Sequence, residues 1–143
     1  MNKTLFIIIC VLLLLIILAV VFFVLYFGVK SRGNGALNVV LLIKKAKKPS
    51  INQINEFLKS KTASKDDLNI LSEYFLANFK LPKKSEKLTD EAKEQLNFIK
   101  NFAASKNADA KMISALNAAL RKINQDYKDE IEEMEKRGIK SRG

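Results

Sequence analysis

The sequence predicts an all-α protein: a single N-terminal transmembrane helix, then a small bundle of about four to five helices whose last member is long. Three observations predict it. An uninterrupted apolar run, LFIIICVLLLLIILAVVFFVLYFGV, occupies Leu5–Val29. Past residue 49, Ser- and Thr-led start signals precede apolar residues at helical spacing. Outside the apolar run no stretch alternates continuously between apolar and polar, and β-branched residues are sparse after residue 51, so no strand is expected. The chain then divides into a tail and membrane helix at 1–29, a basic juxtamembrane segment at 30–49, a helical domain at 50–137 and a basic tail at 138–143.

No Asp, Glu, Lys, Arg or His interrupts Leu5–Val29. At about 1.5 Å per residue the run reaches roughly 37 Å, enough to cross a hydrocarbon core of about 30 Å with some tilt. A signal peptide is the competing reading. Its apolar region spans about 7–15 residues and ends at a small-residue cleavage site, and FVLYFGVKSRG has neither property. An uncleaved anchor is therefore expected. With no ionisable residue inside, no proton or ion path is expected. Ala19 and Gly28 are its only small residues, so strong self-dimerisation through the helix is not supported. Tyr26, with Phe22, Phe23 and Phe27 beside it, suits an interfacial end, although the Phe residues equally suit plain apolar filling.

Sidedness follows from the cations. Lys3 and the α-amine precede the helix; Lys30, Arg32, Lys44, Lys45, Lys47 and Lys48 follow it. That bias favours a cytoplasmic C-terminal domain, with a periplasmic one as the alternative, because MNK also serves as a positive n-region. Cys10, the sole cysteine, lies in the apolar run, so the rest of the chain holds no disulfide.

After the helix, KSRGNG at 30–35 has the composition of a flexible connection. ALNVVLLIKKAKK at 36–48 has two readings. Its lysines lie on anionic headgroups, or it is the first helix of the bundle with Leu37, Val40, Leu41 and Ile43 in the core. Pro49 ends it. Ser50 with Gln53 is a capping box, followed by Ile51, Ile54, Phe57 and Leu58 on one face. Ser64 with Asp67 starts a helix at about 65–79 presenting Leu68, Leu71, Phe75 and Phe79, and Asp66 and Asp67 suit the positive end of its dipole. Residues 80–88 are a loop, interrupted by Pro82. Thr89 starts a helix with Ala92, Leu96, Ile99 and Ala103 along one face, Phe98 and Phe102 beside it. Asn107 or Asp109 caps a long last helix to about Arg137, with Ile113, Leu120, Tyr127 and Met134 at heptad spacing and Leu116 and Ile123 in the alternate seam. Gly138 is its expected stop. The two helix pairs differ in length and motif, so no repeat array is inferred.

The chain has no His and no Trp. His-based acid–base work, Ser-His and Cys-His pairs and the usual zinc sites are thereby excluded. No phosphate-binding glycine loop occurs. The acids of DYKDEIEEME (Asp126, Asp129, Glu130, Glu132, Glu133, Glu135) ride a helix without a turning loop, so they read as a solvated face, or more sharply as a docking strip for a basic partner. No cofactor or metal is expected, and the protein is not expected to be an enzyme. The net charge of +10 is spread over separate clusters and lies on no recognition helix, so a nucleic-acid partner is not expected.

GVKSRG at 28–33 recurs as GIKSRG at 138–143, and every glycine but Gly35 falls in one of these copies. The second copy reads as a free basic tail able to return to the membrane surface, unless the repeat is coincidence. The membrane-surface cluster is then Lys30, Arg32, Lys44, Lys45, Lys47, Lys48, Lys140 and Arg142. Tyr74, Leu76, Phe98, Tyr127 and Met134 are the residues expected to contact a protein partner. The functional expectation is a non-enzymatic, membrane-anchored accessory or scaffold subunit of a larger complex, such as a motility, secretion, division or transport machine. Its partners would be other membrane-complex subunits and anionic lipid headgroups. The Lys-, Asn- and Ile-rich composition suggests the inner membrane of a bacterium with an A·T-rich genome. The alternative is a lipid-surface organiser acting through the basic segments alone.

Overall fold

A computed structural model describes the backbone of residues 2–142 and the side chains of residues 2–22 and 39–142. The described chain is helical: α1 (Lys3–Lys44), α2 (Ile51–Lys59), α3 (Lys65–Asn78), α4 (Asp90–Ala104), α5 (Ala110–Ile123), a 3-10 turn at Gln125–Tyr127, and α6 (Lys128–Lys140). It divides into two compact units, Met1–Asn34 and Gly35–Gly143.

The first unit is the leading part of α1. Its stretch Lys3–Phe22 is long and apolar enough to cross a membrane, and none of it is buried; by length and composition it equally suits a signal sequence. The side chains of Phe23, Tyr26 and Phe27 lie outside the described residues, as do those of Lys30, Arg32 and Leu37. The connection expected at 30–35 is not a break in the backbone assignment, because α1 continues to Lys44. A helix-interior Gly costs only about 1 kcal/mol relative to Ala, whereas restarting a helix repeats its unfavourable nucleation. The boundary between the two compact units, after Asn34, falls within this glycine-containing stretch.

The second unit has one core. Val39 and Val40 near the end of α1 are buried in it and Ile43 packs against it, so this segment joins the core, with Val39 there instead of the expected Leu41. The helix ends in a Schellman motif. Ala46 sits at φ 56, its N–H donating to the Ile43 carbonyl at 3.0 Å and the Lys47 N–H to that of Leu42 at 2.8 Å. The two capping boxes form as expected: Ser50 with Gln53 starts α2 and Ser64 with Asp67 starts α3. Thr89 caps α4, and Asp109 is the cap of α5.

Helix α4 lies at the centre, packed against both α2 and α6. Ala92, Leu96, Phe98, Ile99, Phe102 and Ala103 bury its length. Phe75 of α3 stacks on Phe98 with ring centres 4.0 Å apart and planes 5° from parallel, and Phe102 and Phe79 extend the aromatic row. A single face would not bury Phe98 together with Ile99. Helix α4 is enclosed because α2 and α6 both pack on it and Phe75 of α3 covers Phe98.

The long last helix expected from Asp109 to Arg137 is instead two helices with a corner between them. Asn124, buried, accepts the Leu81 N–H on Oδ1 at 3.2 Å and donates from Nδ2 to the Leu120 carbonyl at 3.1 Å. This side chain offers the backbone an alternative to the next helical turn, and the chain passes through the 3-10 turn before resuming. The redirected α6 lies on α4, with Ile131 fully buried. Ile113, Leu116 and Leu120 keep their seam positions, whereas Ile123 is left at the corner, 46% exposed.

Gly138 is also not a stop. Helix α6 runs through it to Lys140, and Gly138 is buried without a positive φ. A Cβ there would stand 2.3 Å from the Lys100 carbonyl oxygen and 2.7 Å from Ala103 Cβ. Glycine is present for close helix approach.

Candidate interaction surfaces

The expected site residues separate into three environments. Lys44, Lys45, Lys47 and Lys48 surround the turn that ends α1 and are exposed, as is Lys140. No ion pair holds any of them among the described residues. Arg142 is different. Its guanidinium donates from Nε to the Ala103 carbonyl and from an Nη to the Ala108 carbonyl, both at 2.6 Å. Ser141 closes the last turn by donating to the Gly138 carbonyl at 2.8 Å. The tail expected to be free from Gly138 onward is thus folded against the α4–α5 connection as far as Arg142. The cause is local: α4 ends at Ser105, and its last carbonyls need donors that the helix itself cannot provide.

Of the residues expected to meet a protein partner, two are buried and three are half-buried. Phe98 is 0% exposed and Tyr127 is buried, so both belong to the core. Met134 is half-buried and packs against that core. Tyr74 is half-buried, edge-on to Phe79; its hydroxyl donates to the Pro49 carbonyl at 3.4 Å, and burial holds its ionisation above the usual phenol range. Tyr127 also borders a crevice at the α5–α6 corner, and Leu76 fronts a second open feature. It lines a groove of about 400 Å³ between α3 and α5, with Ser72, Met112 and Leu116 on its walls and the Lys65–Asp109 ion pair at 2.6 Å. The hydrogen bond from Lys65 keeps the Asp109 carboxyl below its ordinary value, helped by the Met112 N–H, and the same bond raises Lys65.

Sequence reasoning missed the corner after α5. The Asn124–Leu81 bond brings the 80–84 loop against the 3-10 turn. Lys84 reaches Glu130 at 2.6 Å and donates to the Asp126 carbonyl at 2.9 Å, with its ammonium 5.6 Å from the centre of the Tyr127 ring. Burial works to raise Glu130, and the hydrogen bond from Lys84, a backbone N–H and the charge of Lys84 together outweigh it, so the carboxyl ends below its ordinary value. A crevice of about 390 Å³ opens there, lined by Lys80, Pro82, Lys83, Lys122, Ile123 and Asp126 among others. A shallower hollow adjoins it, lined by Arg121, Lys122, Gln125 and Lys128. A signal for this cluster was available: Lys80, Lys83 and Arg121–Lys122 are visible in sequence, but only the broken helix brings them together.

The acidic face of α6 is largely paired within the chain. Glu132 bonds Lys136, which holds the carboxyl below its ordinary value; Glu133 bonds Arg137, and Glu135 accepts from Asn117. Among the described residues no group of His, Cys, Asp and Glu could hold a metal ion. Comparison with protein-family models, with curated proteins and with solved structures finds no match for this chain.

Proposed function

We propose that this chain is a non-enzymatic, single-pass accessory or scaffold subunit of a membrane assembly, with the helical unit meeting neighbouring subunits from the cytoplasmic side of a bacterial inner membrane. One observation carries the reading. The apolar stretch Lys3–Phe22 has a mean hydropathy of 3.8 with none of it buried, while the other unit satisfies its own core without it. An exposed apolar helix of that length requires a non-aqueous surrounding, and a bilayer provides one. The absence of His from the sequence supports a binding role over acid–base catalysis.

The test is extraction at alkaline pH combined with mass measurement of the mature chain. Retention in the membrane pellet with Leu5–Val29 intact supports the anchor. A soluble mature form beginning near residue 30 refutes it. Co-purification in mild detergent then tests the subunit role, and recovery of a lone monomer counts against it. Reporter fusions at the C-terminus decide sidedness.

A second reading, a lipid-surface organiser, is favoured by the exposed Lys44, Lys45, Lys47 and Lys48, which have no ion-pair partner among the described residues. It predicts attachment that weakens steeply with salt, which an apolar contact between subunits would not.

A further inference from the structure

We infer that the corner between α5 and α6, with the 80–83 loop docked on it, is a contact site for phosphate-bearing lipid headgroups. The site rests on two features that sequence order keeps apart. One is charge. Lys80, Lys83, Lys122 and Lys128 line the crevice and its adjoining hollow, and none has an ion-pair partner among the described residues. The carboxylates of this region are Asp126, which lines the crevice, with Asp129, Glu130 and Glu132 on α6. Glu130 is taken by Lys84, and Glu132 by Lys136 with Arg121 acting on it. An excess of uncompensated ammonium groups therefore faces outward. The other feature is apolar. Ile123 stands 46% exposed on the crevice wall, in a unit that buries most of its aliphatic side chains.

An exposed aliphatic group ringed by lysines fits the bilayer interface. The apolar tip enters the headgroup–acyl boundary, and the long lysine stems lift their ammonium groups to the phosphates. A soluble acidic partner would match the charge and leave Ile123 without a role. A membrane-anchored chain also meets lipid phosphate at high local concentration, and in this respect the inference rests on the anchoring proposed above.

The experiment uses the full chain in lipid nanodiscs. Cys10→Ser removes the native thiol, and a nitroxide is attached at Ile123→Cys, with Gln125→Cys as a second label position. Collision with a water-soluble paramagnetic reagent is read in zwitterionic discs and in discs containing about 30% acidic lipid. At both positions the label should be shielded at least about threefold more in the acidic discs, and about 0.5 M salt should remove the shielding. Each of Lys80→Gln, Lys83→Gln, Lys122→Gln and Lys128→Gln should weaken the effect, by up to about fivefold in the bound-to-free ratio.

Equal exposure in both discs overturns the inference. So does shielding that is the same in zwitterionic discs, which marks a contact between copies. Shielding produced in zwitterionic discs by inorganic phosphate alone also overturns it, because the corner would then be a small-anion site. A chain that fails to enter discs refutes the anchor; one that enters and keeps a fully wet label refutes only the lipid site.

Discussion

Gly138→Ala separates two explanations of one glycine by the sign of its effect. If Gly138 merely ends or tolerates a helix, alanine should stabilise the protein by up to about 1 kcal/mol through helix propensity and a more restricted unfolded chain. The packing requires the reverse. The new Cβ would lie 2.3 Å from the Lys100 carbonyl oxygen and 2.7 Å from Ala103 Cβ, with the Ala104 nitrogen at 3.2 Å. The oxygen and nitrogen are backbone atoms of α4, so no flexible side chain can move aside. Restoring an ordinary contact takes a shift of roughly 1 Å between α6 and α4, and overpacking of this kind costs about 1–3 kcal/mol. The shift also strains the seat of Arg142, which bonds the carbonyls of Ala103 and Ala108. Subtracting a propensity gain of about 1 kcal/mol leaves a net loss of up to about 2 kcal/mol. For a unit of this size that lowers the melting temperature by up to about 12 °C. The assay is thermal unfolding of the full chain in detergent, followed by tyrosine fluorescence in a Tyr26→Phe background, since Tyr127 is buried in the second unit and Tyr26 is the tyrosine of the first. A raised melting temperature would refute the close approach of α6 to α4.

The same assay checks four further expectations. Ala46→Gly should stabilise by about 1 kcal/mol, because Ala46 holds a left-handed conformation at φ 56 that glycine adopts without penalty. Asn124→Ala should destabilise by about 1–3 kcal/mol, leaving the Leu81 N–H without its acceptor in a buried setting. Gln95→Met should stabilise by about 1 kcal/mol, since Gln95 is buried with an Oε1 that has no hydrogen-bond partner among the described residues. Stability should also fall in acid. Asp109, Glu130 and Glu132 titrate below their ordinary values when folded, so the unfolded chain binds protons first as pH drops. Their contribution is complete above the ordinary carboxylate range and is lost through roughly pH 5 to 3, and Glu130→Gln should flatten that slope in a melting-temperature titration.

Much of the fold was legible because its signals are local. Ser50, Ser64, Thr89 and Asp109 each place a side-chain acceptor at the start of an apolar-periodic run, and each caps a helix. The core residues at 54, 57, 58, 68, 71 and 75 were readable for the same reason. The failures are tertiary. Asn124 breaks the last helix by bonding Leu81, a residue far away in sequence, and no window around Asn124 contains that partner. The heptad pattern through it persisted because Tyr127 is buried either way, on a straight helix or on a corner. Phe98 read as a spare aromatic because periodicity assigns a helix one buried face, and α4 is covered on more than one. Of the expected sites, Lys44, Lys45, Lys47, Lys48 and Lys140 are exposed. Arg142 is engaged, and of the expected partner contacts Phe98 and Tyr127 are buried while Tyr74, Leu76 and Met134 are half-buried.

The repeated hexapeptide can now be weighed position by position in its second copy. Gly138 is there because α4 leaves no space for a Cβ. Ser141 satisfies the Gly138 carbonyl, and Arg142 satisfies carbonyls at the end of α4 and in the turn beyond it. Ile139 and Lys140 face solvent without a structural contact of this kind, and Ile139 is also where the two copies differ. The residues shared at Gly138, Ser141 and Arg142 therefore have structural work that needs no lipid. A basic motif need not be a membrane motif when its guanidinium is committed to helix-end carbonyls. That argument moves the search for lipid contact away from the C-terminal copy and toward cations that the fold leaves unpaired. Lys44, Lys45, Lys47 and Lys48 form one such set, with Leu41 exposed nearby; Lys80, Lys83, Lys122 and Lys128 form the other, which lines a crevice and its adjoining hollow with Ile123 exposed on the crevice wall.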